Sequence, residues 1–411
     1  MRILVSAYAC EPDKGSEPGV GWNWVLELSG KHEVWVLTKE NNKKTIEDYL
    51  NEHGEIDASN IHFVYVNVSK KLTFWKKGNR GIRLYYWIWQ KKALIVAKKL
   101  CKKIEFDYVH CLTFVSYTQP SFLYKLGIPI VWNVAGGENI PKSIKLKMST
   151  KDWISTIARE WYQKIVLYFH WNKQMMDLSE LIIATTEETK RALPKLVQEK
   201  VIIMPSIGIE DEIFRFTQRK IDYPTKSNGL RVLMAGRFIY WKAIDLGLKG
   251  FKKYQEKFPD ASLDILGHGE KKEYLERIIK NENIQNVHFV KEVSHDDVYK
   301  FYRMEDVFLN TSMRDSGCMV LLEARSVGLP VIFVDTGGPS VLFKDVFCKK
   351  IFPKNNEYVI NEVAKALCWY TENLGMLKRD GINGRNIIEQ SHLYSRRIDS
   401  FSQIWMMNKE E

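Results

Sequence analysis

Short apolar runs of four to seven residues recur along the chain, each bounded by turn-forming residues and separated from the next by a helical pattern. They fall at 3–7, 34–37, 63–68, 108–112, 130–134, 181–184 and 201–204. Strands that are apolar on both faces and spaced by helices build a parallel sheet covered on both sides. A loop at 205–214 and a polar stretch at 218–229 interrupt the pattern, which resumes at 231–235, 263–266, 287–290, 307–309 and 331–334. The expectation is two doubly wound α/β domains in sequence, meeting near 205–230, with a last helix over about 391–407. In such domains ligands meet the loops leaving the carboxyl ends of the strands, where helix N-termini point outward.

Composition agrees with two folded domains. The 411 residues allow two of roughly two hundred each. A chain 45% hydrophobic and 27% charged, with 24 Gly and 12 Pro, is neither collagen-like nor disordered nor a disulfide scaffold. Cys10, Cys101, Cys111, Cys318, Cys348 and Cys368 form no CxxC pair and no His/Cys cluster at zinc spacing, so they read as reduced thiols of a cytosolic protein. The apolar run after Met1 is too short for a secretory leader and reads as a first strand. No stretch approaches the ~18 apolar residues of a membrane span, so membrane contact is expected to be peripheral. The net charge of +11 calls for an anionic partner: nucleic acid, phospholipid or a phosphorylated small molecule.

Candidate chemistry lies after the strands. The turn Gly15-Ser-Glu-Pro-Gly19-Val-Gly21-Trp22 follows the first strand and opens a helix, so its glycines would allow a ligand close to the backbone. Its spacing is not GxGxxG, and Leu37-Thr38-Lys39 stands where a dinucleotide site places an acid, which disfavours a dehydrogenase; a tight turn with no ligand is the alternative. Further on, Gly236-Arg237 and Lys242 follow a strand, two cations that can clamp a diphosphate. Gly267-His268-Gly269 repeats the strand-to-Gly turn, where backbone groups could edge a nucleobase. Asp315-Ser-Gly317-Cys318-Met319-Val320 leads into a helix beginning near Gly317 or Cys318 and carrying Glu323, and Gly328 with Pro330 stops it. That helix start is an anion site, and the two carboxylates eight apart can bond hydroxyls at opposite ends of an extended ligand. Gly337-Gly338-Pro339 is a further open turn.

These residues resemble a glycosyltransferase family 4 enzyme of GT-B architecture. The resemblance rests on Gly-Arg-x4-Lys at 236–242, acid-x7-acid at 315–323 and Leu-Glu-Ala-x3-Gly-Leu-Pro-Val at 322–331, together with the first Gly-rich loop, and it runs over essentially the whole length. The pairing of GSEPGVGW with DSG-x3-LLEA marks a subgroup. The resemblance implies two Rossmann-like parallel-sheet domains facing a central cleft: 1–205 for the acceptor, 206–390 for the nucleotide-sugar donor, and 391–411 as a helix packing back on the first. It implies transfer of a hexose-type sugar from a nucleoside-diphosphate donor with retention of configuration and without a metal or other cofactor. Arg237 and Lys242 would hold the diphosphate, Asp315 the sugar hydroxyls and Glu323 the ribose diol. Gly15, Gly19, Gly21, Gly236, Gly267, Gly269, Gly317, Cys318, Met319 and Val320 would complete the donor site. The chain departs from the usual pattern in having Asp315 for Glu and Arg325 where Met is common. Where the family often has His-x-His, only His110 remains, a catalytic or a structural residue.

Between Ala58 and Ile104 there is no Asp or Glu and there are twelve cations. Lys70, Lys71, Lys76, Lys77, Arg80 and Arg83 are interleaved with Trp75, Trp87 and Trp89, a composition suited to an anionic membrane surface. No nucleic-acid recognition motif accompanies them. Aromatic residues at helical spacing from 153 to 171, with Arg159 and Lys164, read as core packing. The expected function is a retaining, metal-independent glycosyltransferase acting on a lipid-linked or cell-envelope glycan at the cytoplasmic face of a membrane. A non-catalytic sugar-nucleotide-binding relative is the alternative.

Overall fold

The computed structural model describes residues 1–69, 75, 78, 81–217, 223–224, 227–290 and 295–410, the side chains of 295, 296 and 408–410 excepted. Two compact units emerge, Met1–Gly137 with Ile154–Ser206 and Ile398–Glu411, and Glu138–Trp153 with Ile207–Arg397.

The first unit holds a seven-stranded sheet of β1 (Arg2–Ser6), β2 (Glu33–Lys39), β3 (Ile61–Val66), β4 (Tyr108–Cys111), β5 (Ile130–Val134), β6 (Ser179–Ala184) and β7 (Val201–Ile203), in the order 3-2-1-4-5-6-7. The second holds β8 (Arg231–Ala235), β9 (Ser262–Leu266), β10 (Val287–Val290), β11 (Val307–Asn310), β12 (Val331–Val334) and β13 (Lys349–Ile351), in the order 10-9-8-11-12-13. All named pairings are parallel, for example Ile3 beside Val34 and Tyr108, and Val232 beside Leu263 and Val307. Both sheets are doubly wound, and their order reverses between β1 and β4 and between β8 and β11, where such sheets receive ligands. Twelve of the thirteen strands coincide with the apolar runs. β13 was not expected, because Lys349-Lys350-Ile351 is short, lies at the sheet edge and is recruited by pairing with β12 rather than by its own hydrophobicity.

In place of one final helix there are two, Leu374–Ser391 and Tyr394–Glu410, separated where Ile209 pairs with the backbone on both sides of Leu393. From Ile398 onward the last helix belongs to the first unit, where Phe401 and Trp405 are buried against His110 and Tyr108. The unusual Arg325 is a core residue of the second unit. It is fully buried, pairs with both oxygens of Asp345 at 2.8 and 3.0 Å and lies over the Phe343 ring.

Two aromatic groups differ from expectation. On the helix Ile82–Leu100, Trp89 is fully buried, while Trp87 and Trp75 are half-buried and pack against the core, so Trp89 is not available to a membrane. Arg83 is exposed with Lys91, Lys92, Lys98 and Lys99, a solvated basic face; Lys70, Lys71, Lys76, Lys77 and Arg80 lie outside the described residues. Conversely, the helix Thr150–Ile165 buries only Gln163 and exposes Trp153, Ile154, Trp161 and Ile165, so the expected core packing is corrected there.

The first Gly-rich turn is explained by packing. The helix Ser16–Ser29 starts directly after Gly15, and a Cβ on Gly19 would lie 1.9 Å from the Lys14 carbonyl oxygen. One on Gly21 would lie 2.1 Å from the Ala9 oxygen and 2.9 Å from Thr113 Cγ2. These two glycines therefore face the protein's own backbone, and packing by itself requires glycine at both. Gly21→Ala should lower stability by about 1–3 kcal/mol in a denaturant titration. Gly54→Ala, where a Cβ meets nothing within 4 Å, should leave the midpoint within experimental scatter.

Candidate active site

In the second unit the loops after β8, β9, β11 and β12 are tied to one another. Gly236, at φ +146°, turns the chain out of β8, and its N–H donates to the Leu266 carbonyl at 3.0 Å. Phe238 N–H donates to the His268 carbonyl at 2.7 Å. A Cβ on Gly267 would lie 2.1 Å from the Gly236 oxygen, and one on Gly269 2.6 Å from the Phe238 oxygen, so both glycines serve this close approach of two turns. At Gly236 the Cβ position is open, with Lys242 Cε nearest at 3.8 Å. A single helical turn, Tyr240–Lys242, follows, and its Trp241 carbonyl accepts from Met313 N–H at 2.8 Å in the loop after β11.

Asp315 stands at the junction. One carboxylate oxygen accepts from Cys318 N–H at 2.9 Å and Gly317 N–H at 3.3 Å; the other accepts from Lys242 Nζ. Its backbone carbonyl accepts from Gly338 N–H at 2.8 Å, and a Cβ on Gly337 would lie 2.3 Å from that same oxygen. Burial alone would lower the Lys242 pKa, but the Asp315 carboxylate more than offsets it and the net shift is upward, so the ammonium stays charged. Arg237 is exposed, adds positive potential at Lys242 and has no ion pair among the described residues.

Cys318, at φ +61°, precedes the helix Met319–Ser326, and its thiol accepts from Asn310 Nδ2 at 3.1 Å. Burial raises its pKa far above the ordinary value, so it is held as a packed, protonated thiol. Met319 and Val320 are partly buried against the core, and their first-turn N–H groups face away from any intrahelical acceptor. One turn on, Glu323 is buried and accepts from the Tyr302 hydroxyl at 2.8 Å; burial and that carboxylate hold the phenol protonated. Two partners escaped the motif reading: Tyr302, and Glu138, a buried carboxylate after β5 that accepts from Ser316 Oγ at 2.8 Å. Glu138 had one sequence signal, a Gly-Gly turn before it at the end of a strand.

Thus Gly236, Arg237, Lys242, Asp315, Gly317 and Cys318 come together, with Glu323 on the same helix as the Asp315 loop. Gly15, Gly19, Gly21 and His110 belong to the first unit. A cationic pair at a helix N-terminus, partly neutralised by a carboxylate that also organises the loop, suits a polyanion and a hydroxyl-bearing group together. The open depression lined by Arg2, Lys31, His32, Glu33 and Asp107 lies at the amino ends of β1 and β2, the wrong end of the sheet for this chemistry.

This fold is that of the GT-B glycosyltransferases. The structure of Anabaena Alr3699/HepE in complex with UDP superposes with a TM-score of 0.64 at 13% identity, over 99% of each chain. Residues 216–381, within the second unit, match the family model Glycosyl transferases group 1. The chain is 26% identical over 189 residues to the uncharacterized glycosyltransferase MJ1059 of Methanocaldococcus jannaschii, 44% of this chain and 46% of that protein; it therefore matches about half the length of that relative. It is 24% identical over 353 residues to alpha-monoglucosyldiacylglycerol synthase of Acholeplasma laidlawii, 77% of this chain and 78% of that one.

His110 is not available as a catalytic residue. It is completely buried, stacked on Phe401 at 5.1 Å and edge-on to Trp24, and its Nε2–H donates to Asn133 Oδ1 at 3.0 Å while Asn133 Nδ2 donates to Ser206 Oγ. Burial lowers its pKa to about 4, only partly resisted by the Asn133 bond. The native state therefore binds fewer protons than the unfolded chain between pH 4 and 6.5; the stability is complete above pH 6.5 and falls as pH drops toward 4. The loss from this one residue is about 3 kcal/mol. His110→Gln should remove that part of the acid dependence in denaturant titrations from pH 7 to pH 4 and leave nucleotide binding unchanged. A large loss of nucleotide binding at unchanged fold would contradict the structural role.

Proposed function

We propose that this chain is a retaining glycosyltransferase that moves a hexose-type sugar from a nucleoside-diphosphate donor to a lipid-linked or cell-envelope glycan, without a metal. The observation that carries the reading is Lys242 held on Asp315 near Arg237, which has no ion pair among the described residues, at the start of the helix Met319–Ser326, within the stretch that matches the glycosyl transferases group 1 model. The UDP in the similar Anabaena structure and the lipid in the name of the Acholeplasma relative support the donor and acceptor classes.

The diphosphate enters beside Arg237 and draws the Lys242 ammonium from its carboxylate. Asp315, freed of that partner but still held by the Gly317 and Cys318 N–H groups, turns its outer oxygen to sugar hydroxyls. Glu323, positioned by Tyr302, takes the ribose diol. The bond between the sugar's anomeric carbon and the phosphate oxygen then breaks, and the acceptor oxygen bonds that carbon on the same face. The acceptor's proton passes to the departing phosphate. Arg237 and Lys242 stabilise charge that grows on the leaving group, the work a divalent ion performs elsewhere. The donor belongs to the second unit, and acceptor recognition falls to the first.

Each charge-assisted bond to the diphosphate contributes roughly 1.5–3 kcal/mol, so Lys242→Ala should slow transfer by about 10- to 100-fold. Mass spectrometry of products from a nucleotide-sugar panel and a membrane lipid extract reads that rate. UDP, GDP or ADP should raise the melting temperature equally with and without EDTA. Stabilisation by NAD and by none of the three diphosphates would overturn the transferase reading.

A further inference from the structure

The helix Thr150–Ile165 is built inside out. Ile154, Ala158, Trp161 and Ile165 recur at i, i+4, i+7 and i+11 and form one stripe along it, the pattern that ordinarily faces a core. Here the stripe faces solvent: Ile154, Trp161 and Ile165 are 56%, 65% and 49% exposed. The opposite side is polar and is the one that docks. Arg159 and Gln163 both donate to the Gly136 carbonyl, at 2.6 and 2.5 Å. Beyond the helix, Tyr168 is 87% exposed and Phe169 extends the patch. A contiguous apolar surface of this kind marks a place that something covers.

We propose that this face, Ile154–Trp161–Ile165 with Tyr168 and Phe169, docks on the surface of an anionic lipid bilayer. Charge selects the lipid. From 147 to 173 there are four exposed cations, Lys147, Lys151, Lys164 and Lys173, with Arg159 on the docked side, against two acids, one of which, Asp152, is already paired with Lys271. Lys151 and Lys164 flank the stripe on its two sides and are exposed, placed for phosphate groups while the apolar residues enter the acyl boundary. The patch also continues into the basic face described above. Phe169 contacts Trp171, Trp171 meets Trp87 at 6.0 Å, and Lys91 lies 3.9 Å over the Trp87 ring. Sixteen residues rise about 24 Å, short of the ~30 Å hydrocarbon core, so the helix lies in the interface plane. Among the described residues no helix is long and apolar enough to cross a membrane. The proposal deepens the transferase reading and rests on it for its purpose, since a lipid-linked acceptor is met at a bilayer surface.

The test is flotation of the purified full chain with vesicles of phosphatidylcholine and phosphatidylglycerol, and with phosphatidylcholine alone, without donor or acceptor. The chain should float with the anionic vesicles and much less with the neutral ones. Trp161→Ser with Ile165→Ser should lower partitioning by about tenfold or more, and Lys151→Glu with Lys164→Glu should weaken binding to the anionic vesicles selectively. Both double variants should keep the wild-type melting temperature and its rise with UDP, which establishes that they fold. Wild-type chain that stays at the bottom of the gradient, or an apolar variant that floats as wild type does, overturns the proposal. So does a wild-type dimer in size-exclusion chromatography that the apolar variant splits while neither protein floats, because the occupant is then a second copy. Failure to float with the UDP response intact leaves the transferase reading standing. Flotation without any nucleotide response removes that reading and keeps the surface.

Discussion

The carboxylate of Asp315 is the group on which the second unit's loop architecture depends. It anchors the turn that opens the helix Met319–Ser326, fixes the Lys242 ammonium that arrives from the loop after β8, and through its carbonyl receives the Gly-Gly turn after β12. Three loops from three strands are thereby held by one residue. The Asp315 carboxylate keeps the half-buried Lys242 charged, and a carboxylate with two backbone donors on one oxygen can give up the lysine on its other oxygen without losing its place. That arrangement is suited to exchange of the lysine for another partner, because the acid keeps its two backbone bonds.

The same logic separates the residues that line this loop cluster from those that only build it. Gly267 and Gly269 are needed because two turns touch, and Gly19 and Gly21 because a helix lies against carbonyl oxygens. Arg325 and His110, both polar and both in motif-bearing regions, are core residues. One is neutralised by Asp345 at two oxygens; the other is kept uncharged by burial. Arg237, by contrast, is exposed and has no ion pair among the described residues.

Much was legible in the chain itself. Apolar runs located twelve strands to within a residue or two, because a strand buried on both faces has to be apolar at every position. Arg237, Lys242, Asp315 and the helix start at Cys318 were found from their places after strands, which the doubly wound sheet brings together. β13 was missed because its two lysines carry no hydrophobic signal, and Glu138 and Tyr302 because nothing local ties them to Ser316 and Glu323.

Periodicity reports that a helix has an apolar stripe, and that much the amino-acid sequence determined for Thr150–Ile165 and Ile82–Leu100 alike. It does not report which way the stripe turns. The helix Ile82–Leu100 buries Tyr85, Tyr86 and Trp89 and leaves its lysines in water, whereas Thr150–Ile165 is held by polar bonds to Gly136 with its aromatics outward. Strand identity and spacing are local and so were set by the sequence. The direction of a face, and the pairing of Lys242 with an acid 73 residues away, were decided only when distant segments met in the tertiary fold.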